Sequence, residues 1–325
     1  MPEGHSIHRI ARQFTANFVG RRVAVSSPQG RFAQGAAVID GLVMEQASAV
    51  GKHLLLSFGD EWLHVHLGLY GAWDFSGEIS ADDTILSAQG RMGQTNMRGS
   101  VADGAWEESL HSIGAPRRAR IRIAEGETEK VLDENFPPEP VGQVRARLLT
   151  ETTVADLRGP TRCDVISKEE VPAVIQRLGP DPLALFESKR SAEDRFVQRV
   201  RKSRTTIGQL LMDQSVVAGI GNVYRAELLF RAQLNPYASG TNLREEQARD
   251  LWKDWVKLLK IGVDTGQMMT MDGLRGARKE AALAHRSERH WVYKREGEPC
   301  RVCGTPIVIE EMAARKLYFC PSCQA

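Results

Sequence analysis

The sequence predicts an α+β fold: an N-terminal part built mainly of β-strands with helices at its edges, then a helical part, and finally a short hairpin that carries cysteines. Three observations support this fold class. Apolar residues alternate with period two in residues 61–67, and they recur at helical spacing in residues 223–230 and 251–259. Four of the five cysteines lie within the last 26 residues.

Length and composition limit the possible classes of protein. A chain of 325 residues argues for two domains rather than one, and 42% apolar with 26% charged residues is typical of an ordinary globular protein. The net charge of +2 neither demands nor excludes a polyanionic partner. The sequence contains no apolar run of about 18 residues, the length needed to span a bilayer. The chain start also lacks the apolar segment of a signal peptide. We therefore expect no membrane partner and a cytoplasmic location.

The N-terminal part begins with a helix and continues in strands. Apolar residues at helical spacing from Ile7 to Phe18 predict an amphipathic helix directly after Pro2-Glu3-Gly4. Residues 53–58 and 61–67, separated by the turn Gly59-Asp60, predict a β-hairpin.

The pattern is lost farther along the N-terminal part. Residues 76–116 have no apolar period and predict a long surface insertion. Strand signals resume at residues 119–123 and 146–150. Glycine and proline punctuate residues 159–160 and 178–182, where this part should end.

The following part is helical. Thr206 and Gln209 have the spacing of a capping box before Leu210. Residues 219–222 then interrupt the chain with two glycines before the helix predicted at 223–230, so the pattern is helix, glycine turn, helix. The free amides of that turn, with Asn222, could hold a phosphate. An ordinary interhelical turn explains the spacing equally well.

The four clustered cysteines have the spacing of a metal site. Two Cys-x2-Cys pairs with sixteen residues between them fit a tetrahedral zinc site that all four thiolates close: Cys300, Cys303, Cys320 and Cys323. The segments between the pairs are strand-like, so we expect a zinc-stapled hairpin with Arg315 near its tip. A closed site leaves no position for a reacting water, and the metal is therefore expected to be structural.

Basic residues are concentrated in two clusters, although the total charge is balanced. Residues 195–204 carry five cations without an acid between them, and residues 275–295 carry seven against two acids, with Trp291 and Tyr293 interleaved. Solvated helix faces are the usual explanation of such clusters. Their position beside a helix-turn-helix pattern and a zinc hairpin favours a surface that follows phosphates.

The amino terminus offers unusual chemistry. If Met1 is removed, Pro2 exposes a secondary amine at the positive end of a helix, which would disfavour the ammonium form. Such an amine can attack an electrophilic carbon, with Glu3 moving protons and Lys52 as a second acid or base. Proline and glutamate also commonly begin helices without any such role.

Together these motifs resemble the formamidopyrimidine-DNA glycosylase and endonuclease VIII (Fpg/Nei) family across almost the whole chain. The matching stretches are MPEGH at 1–5, GKHL at 51–54, HLGLYG at 66–71, DLRGP at 156–160, LGPDPL at 178–183, LLMDQSVVAGIGNVYRAELLF at 210–230, VYKREGEPCRVCGTPI at 292–307 and CPSC at 320–323. The resemblance implies an N-terminal β-sandwich with flanking helices, a C-terminal domain with a helix-two-turn-helix, and a zinc finger with four cysteine ligands. The domain bounds expected from it are 1–165, a connector at 166–184, 185–284, and a finger at 285–325.

The resemblance also implies roles for individual residues. Pro2 would be the nucleophile and Glu3 the acid-base partner, while Lys52 would assist elimination and contact phosphate. Leu69 and Tyr70 match the wedge that fills the gap left by a flipped base. The remaining candidates would contact DNA: Arg158 the orphaned base, and Asn222 and Arg315 the phosphates.

Two departures from the purine-specific pattern favour the endonuclease VIII branch. The opening is PEGHS rather than the PELPE of the purine-specific branch, and Arg158 precedes Gly159-Pro160 where the purine-specific branch has an Arg followed closely by Phe. Ser215 stands where a lysine is common. The resemblance thus implies a monomeric glycosylase and AP lyase that acts on damaged or abasic double-stranded DNA, with oxidised pyrimidines as the leading substrates. Oxidised purines, or lesion binding without catalysis, are the alternatives.

Overall fold

The computed structural model describes residues 2–79, 112–114, 136–184, 187–285 and 288–325. The chain forms two compact units. Unit 1 is Met1–Ile175 with Val263–Gln267, and unit 2 is Gln176–Gly262 with Met268–Ala325. No helix within the described ranges combines the length and the apolar character needed to cross a bilayer.

Unit 1 contains two antiparallel sheets and the helices that flank them. One sheet has the order β1-β7-β8-β5-β6 and the other has the order β2-β3-β4-β9. The element bounds in chain order are α1 Gly4–Asn17, β1 Ala24–Ser26, α2 Ala33–Ile39, β2 Gln46–Val50, β3 His53–Phe58, β4 Glu61–His66, β5 Ala72–Gly77, β6 Ser112–Gly114, β7 Val144–Leu149, β8 Thr153–Arg158, β9 Arg162–Ser167 and α3 Val171–Gln176.

One core joins the two sheets and helix α1. The inward side chains of both sheets and the apolar face of α1 belong to a single buried cluster. Phe14 of α1 meets the rings of Trp73 and Phe75 of β5 edge-on, with ring centroids 4.9 and 5.3 Å apart. Such edge-to-face pairs add to the free energy gained by apolar burial. The expected β-sandwich with flanking helices is confirmed.

The expected hairpin is confirmed, whereas the expected insertion is wrong at both ends. Strands β3 and β4 pair in register from His53 with His66 to Phe58 with Glu61. Residues 76–77 belong to β5, and β6 pairs with β5 inside the segment assigned to the insertion. Ile113 of β6 is fully buried, and a strand with one apolar residue shows no periodicity. The strand predicted at residues 119–123 lies outside the described residues.

Unit 2 is helical and ends in a two-stranded hairpin. Its elements are α4 Lys189–Arg201, α5 Ile207–Leu210, α6 Asn222–Arg231, a 3-10 turn at Gly240–Asn242, α7 Glu245–Thr265, α8 Gly276–Ala284, β10 Val308–Met312 and β11 Arg315–Phe319. The last three residues of α7 belong to unit 1. The glycine turn between two helices and the zinc-finger hairpin are both present as expected.

The capping box expected at Thr206 is wrong. Helix α5 spans only four residues, and Thr206 makes no side-chain bond to its amides. The Thr206 hydroxyl instead lies 3.0 Å from the side-chain oxygen of Gln209 and 3.9 Å from the sulfur of Met312. The Thr206 hydroxyl therefore bonds the side chain of Gln209 and lies near Met312 of the finger hairpin, and it does not cap the amides of α5.

Candidate active site and nucleic-acid interface

The proposed nucleophile and its acid-base partner lie at the buried start of α1. Pro2 is buried, and the Glu3 side chain, at the N-cap of α1, is 0% exposed. The carbonyl of Glu3 accepts a bond from the amide of Ser6 at 3.0 Å, which begins the helix. A buried carboxyl group at a helix N-terminus is stabilised by the positive end of the dipole.

A buried histidine follows on the same helix. Burial and the nearby Arg9 guanidinium lower the pKa of His5 to about 3. His5 is therefore neutral at pH 7, and its Nε2 lies 3.3 Å from the hydroxyl of Ser6. His5 was not predicted from the sequence, because a lone histidine on a helix gives no signal of its own.

Lys52 occupies the turn between β2 and β3. Helix α1 packs on both of these strands. The ammonium of Lys52 adds to burial in lowering the pKa values of His53 and His66, and burial is the larger cause for both. Lys52 is thus a half-buried cation among neutral imidazoles.

The two residues of the expected wedge protrude from unit 1. They lie between β4 and β5, and Leu69 is 39% and Tyr70 66% exposed. Apolar side chains so exposed contribute little to the core. Their exposure agrees with a wedge and argues against a role in supporting the fold.

Two glycines build the wedge loop, which we define as residues 67–71. Gly68 has φ +64°, and a Cβ there would lie 2.2 Å from Thr161 Cγ2. A Cβ on Gly71 would lie 2.3 Å from the carbonyl oxygen of Leu67, which accepts a bond from the amide of Gly71 at 2.9 Å. Only glycine fits at both positions.

His66 holds the base of the wedge loop. Its Nδ1 accepts a bond from the amide of Gly68 at 3.1 Å and lies 3.0 Å from the hydroxyl of Thr161. Thr161 also donates its amide and its hydroxyl to the carbonyl of His66. Thr161 was not predicted as a supporting residue, whereas His66 belongs to the HLGLYG motif.

Arg158 is the last residue of β8 and forms an ion pair with Asp74. Its Nε donates to Asp74 Oδ2 at 2.7 Å, its Nη2 contacts the same oxygen, and its Nη1 donates to the carbonyl of Val141. Arg158 would therefore have to release Asp74 before its guanidinium could contact a base.

On unit 2, Gln214 shapes the glycine turn. Its side-chain oxygen accepts from the amide of Gly219 at 3.0 Å, and its nitrogen donates to the carbonyl of Ile220 at 2.9 Å. Gly219 has φ +95°, a conformation that favours glycine. The neighbouring Ser215 turns its hydroxyl to Asp213, 2.7 Å away.

Asn222 begins α6 and is buried. Its Nδ2 donates to the carbonyl of Lys316 at 2.8 Å, and its Oδ1 accepts a bond from Arg225 at 2.5 Å. The same nitrogen of Arg225 lies 2.9 Å from the Lys316 carbonyl. Asn222 therefore holds the finger hairpin, a contact that spacing alone could not indicate.

Arg315 lies beside the tip of the hairpin, as expected. The turn residues Ala313 and Ala314 have φ +51° and +56°, which is the pattern of a two-residue type I′ turn. Arg315 begins β11 directly after them, opposite Met312. It is exposed and forms no side-chain hydrogen bond or ion pair with the described residues.

Glu227 of α6, which was not predicted from the sequence, anchors the segment that leads into the finger. It is fully buried, and its carboxyl oxygens accept bonds from three consecutive amides, of Trp291, Val292 and Tyr293, at 2.8–2.9 Å. Burial raises the pKa of Glu227, whereas the hydrogen bonds act in the opposite direction and lower it.

The four cysteines converge as their spacing predicts. Their sulfur atoms all lie within 4.8 Å of one another. The Sγ atoms of Cys300 and Cys323 are 3.9 Å apart, and those of Cys303 and Cys320 are 3.4 Å apart. Four sulfurs at about 2.3 Å from one tetrahedral zinc lie roughly 3.8 Å from each other. The residues therefore fit a zinc ion, which would hold both ends of the finger together.

The first basic cluster is less available to phosphates than expected. Arg195 pairs with Glu187, Arg199 donates to the carbonyl of Ser215, and Arg201 donates to the carbonyl of Leu243. These three arginines stabilise unit 2. The cations of this cluster whose side chains have no partner among the described residues are Lys202 and Arg204.

Family models match three segments of the chain. Residues 1–106 match the formamidopyrimidine-DNA glycosylase N-terminal domain, residues 178–272 match the formamidopyrimidine-DNA glycosylase H2TH domain, and residues 297–325 match a zinc finger found in FPG and IleRS. The zinc-finger match and the sulfur geometry agree, so the cysteine cluster is a structural zinc site.

Relatives and solved structures are consistent with these matches. A protein named Endonuclease 8 1 from Mycobacterium tuberculosis is 38% identical over 325 residues, covering 100% of both chains. A formamidopyrimidine-DNA glycosylase from Thermus thermophilus is 35% identical over 68% of this chain and 85% of its own. The crystal structure of the MutM (Fpg) protein from Thermus thermophilus matches with a TM-score of 0.65 and 25% identity, covering 99% of this chain and 98% of that one.

A structure with lower identity shows the same fold. Lactococcus lactis Fpg in a complex with DNA containing N7-benzyl-Fapy-dG matches with a TM-score of 0.66 and 20% identity, covering 99% of each chain. With the full-length relative and the three matched segments, the chain belongs to the Fpg/Nei family of DNA glycosylases with AP lyase activity.

Proposed function

We propose that this protein removes oxidised bases, chiefly pyrimidines, from double-stranded DNA and then cleaves the strand, with the amine of Pro2 as nucleophile. The observation that carries this proposal is the burial of Pro2 together with the fully buried Glu3 at the start of α1. Burial of a carboxyl group costs free energy unless the group is stabilised or used. Once Met1 is removed, this buried acid stands next to a secondary amine, which is the pair that the chemistry requires.

The reaction would proceed in balanced steps. After removal of Met1, the Pro2 amine attacks C1′ of the damaged nucleotide, and the bond from C1′ to the base breaks as the base takes up a proton. Glu3 donates a proton to the opening sugar, and loss of the amine proton leaves an iminium between Pro2 and C1′. Removal of a C2′ proton then expels the 3′ phosphate, and a second elimination expels the 5′ phosphate. Hydrolysis of the remaining iminium frees Pro2.

The basic residues and the two residues of the wedge would support these steps. Lys52 is proposed to contact phosphate and assist elimination, and Arg315 is proposed to bind a phosphate from the tip of the finger. Asn222 would act at the same surface of unit 2, directly or by holding the tip. Leu69 and Tyr70 would fill the gap in the base stack.

The preference for pyrimidines rests on the sequence departures at PEGHS and at Leu69-Tyr70, and on the full-length relative named Endonuclease 8 1. Oxidised purines are the second candidate, because other relatives are named formamidopyrimidine-DNA glycosylase. A panel of duplexes, each with one oxidised pyrimidine or purine, separates the two by relative excision rates.

Trapping with borohydride tests the central step. Reduction of the iminium should give a permanent adduct between the protein and DNA that carries a damaged base or an abasic site. Peptide mapping should place the adduct on Pro2, and a variant that retains Met1 should form little of it. A protein that only binds lesions would form none, and an adduct on a lysine would overturn the assignment of Pro2.

A further inference from the structure

Two arginine–aspartate pairs join neighbouring strands of the five-stranded sheet. Arg147 of β7 donates to its register partner Asp156 of β8 through Nε at 2.8 Å and Nη2 at 3.0 Å, and Arg158 of β8 donates diagonally to Asp74 of β5. Each arginine also donates to a backbone carbonyl in the segment before β7, Arg147 to Pro138 and Arg158 to Val141. Asp74 and Asp156 are register partners, so the two pairs lie side by side on one face of the sheet.

Of these two pairs, the one between Arg158 and Asp74 lies at the wedge loop. The loop ends at Gly71, and the next residue, Ala72, is the register partner of Arg158. Asp74 follows two residues later on the same face of β5. The ion pair thus joins the first residues after the loop to the last residue of β8.

The backbone beyond Arg158 supports the loop directly. Gly159 has φ +57°, and a Cβ at this position would lie 3.3 Å from the carbonyl oxygen of Tyr70. The turn after β8 is therefore in close contact with the wedge backbone. Movement of the end of β8 would be transmitted to Tyr70.

We propose that Asp74 is a positioning residue that holds the wedge through Arg158. This inference rests on the proposed function, since it concerns how Leu69 and Tyr70 enter the base stack. The side chains of Arg158 and Asp74 are only 24% and 18% exposed. Loss of the carboxylate charge would leave a half-buried guanidinium without its counterion, and such an uncompensated charge destabilises this end of β8.

The proposal assigns Arg158 a different task from reading the orphaned base. If Arg158 read that base, removal of the Asp74 charge would free its guanidinium and strengthen the contact. If the pair positions the wedge, removal of either partner weakens insertion in the same way. The two roles therefore predict opposite effects for one substitution.

The experiment compares Asp74→Asn with Asp156→Asn, which breaks the neighbouring pair with Arg147 and leaves Asp74 and Arg158 in place. Single-turnover rates are measured on a duplex with thymine glycol and on a duplex with a preformed abasic site. Because small misplacements of supporting groups cost up to about a hundredfold in rate, we expect Asp74→Asn to slow base excision at least tenfold, with strand cleavage at the abasic site within about twofold of the unaltered protein. Asp156→Asn should leave the ratio of the two rates unchanged.

Combination with the wedge variant makes the test specific. In the background Leu69→Ala with Tyr70→Ala, Asp74→Asn should cause no further loss, because the residues it positions are gone. Equal slowing of both substrates, the same loss in the wedge background, or faster excision by Asp74→Asn would overturn the inference. If Asp74→Asn does not fold, Asp74→Ser, which also removes the charge and keeps Arg158, is measured in its place. Absence of all activity in the unaltered protein would instead count against the proposed function.

Discussion

The side-chain amide of Asn222 donates a 2.8 Å hydrogen bond to the carbonyl of Lys316. This bond connects the first residue of α6 with the finger hairpin, one residue beyond Arg315. Two candidate phosphate ligands, Asn222 and Arg315, are thereby linked within unit 2. The orientation of the hairpin tip depends on the start of α6.

This contact predicts different consequences for the two residues. Asn222→Ala should weaken DNA binding by about 1 kcal/mol, because the finger hairpin loses one of the two hydrogen bonds to the carbonyl of Lys316 and keeps the one from Arg225. The salt dependence should stay unchanged, since no cation is removed. Arg315→Gln should weaken binding and also reduce the slope of log K against log salt by about 0.9. Fluorescence anisotropy at several salt concentrations measures both.

A change in the salt slope of DNA binding for Asn222→Ala would contradict the expected difference between Asn222 and Arg315. Gln209→Ala provides a control on unit 2, because Gln209 accepts the hydroxyl of Thr206 and does not contact the Lys316 carbonyl. Its affinity and slope should stay close to those of the unaltered protein.

Removal of zinc should unfold the finger and leave unit 1 folded. Four sulfurs and a small apolar core that includes Phe230 and Tyr318 hold the finger, and structural zinc contributes folding free energy of order 10 kcal/mol in small fingers. Cys320→Ser should therefore lose the metal and the DNA affinity. Metal analysis, DNA binding and near-UV circular dichroism of the retained sheets check this.

Cys163 of β9 provides the matched control for the zinc prediction. Burial raises the pKa of its thiol to about 12, so it stays protonated and does not compete for the metal. Cys163→Ser should retain one zinc per chain and full DNA affinity. Full affinity in a metal-free preparation of Cys320→Ser would contradict the expected role of the zinc.

Glu3→Gln should separate the two activities. Base excision requires Glu3 to protonate the sugar as its ring opens, whereas the aldehyde form of an abasic site is already ring-opened and can condense with the Pro2 amine with solvent supplying the proton. We expect base excision to fall by roughly 10²–10⁴-fold, the usual contribution of general acid–base catalysis. Strand cleavage at a preformed abasic site should be retained, and gel assays on the two substrates check this. Equal loss on both would assign Glu3 a structural role.

Local patterns allowed much of the fold to be predicted. The hairpin of β3 and β4 follows from alternation and one short turn, and the zinc site follows from cysteine spacing. Strand β6 could not be predicted, because Ile113 alone gives no period and its partner β5 is distant in the sequence. Gly208 shows the same limit: a Cβ there would lie 2.7 Å from the sulfur of Met312, a contact between segments far apart.

Candidate site residues could be proposed from the sequence, but their contacts could not. Short motifs indicated Pro2, Lys52 and Asn222, because their spacing is local. The contact between Arg158 and Asp74 joins two strands that are separated by a long segment of the chain. No sequence pattern encodes that register. Supporting residues such as Thr161 therefore became evident only in the structure.

Removal of the wedge should affect damaged pairs more than abasic sites. Extrusion of a base costs a few kcal/mol, and the exposed side chains of Leu69 and Tyr70 would offset part of that cost. The double variant Leu69→Ala with Tyr70→Ala should slow excision from a damaged duplex far more than cleavage of an abasic or single-stranded substrate. The salt slope of binding should barely change. Equal slowing of all three substrates would show that the two residues support the fold.

Buried histidines predict that unit 1 loses stability in mild acid. Burial lowers the pKa of His5 and His53 to about 3 and that of His64 to about 4, below their usual value of about 6.5 in the unfolded chain. The unfolded state therefore binds more protons below pH 6.5. The free energy of unfolding should fall by up to about 1.4 kcal/mol per pH unit for each histidine. Urea unfolding between pH 7 and 5, above the carboxylate range, measures this slope, and His5→Gln should make it shallower. A slope that stays flat from pH 7 to 5 would refute the prediction.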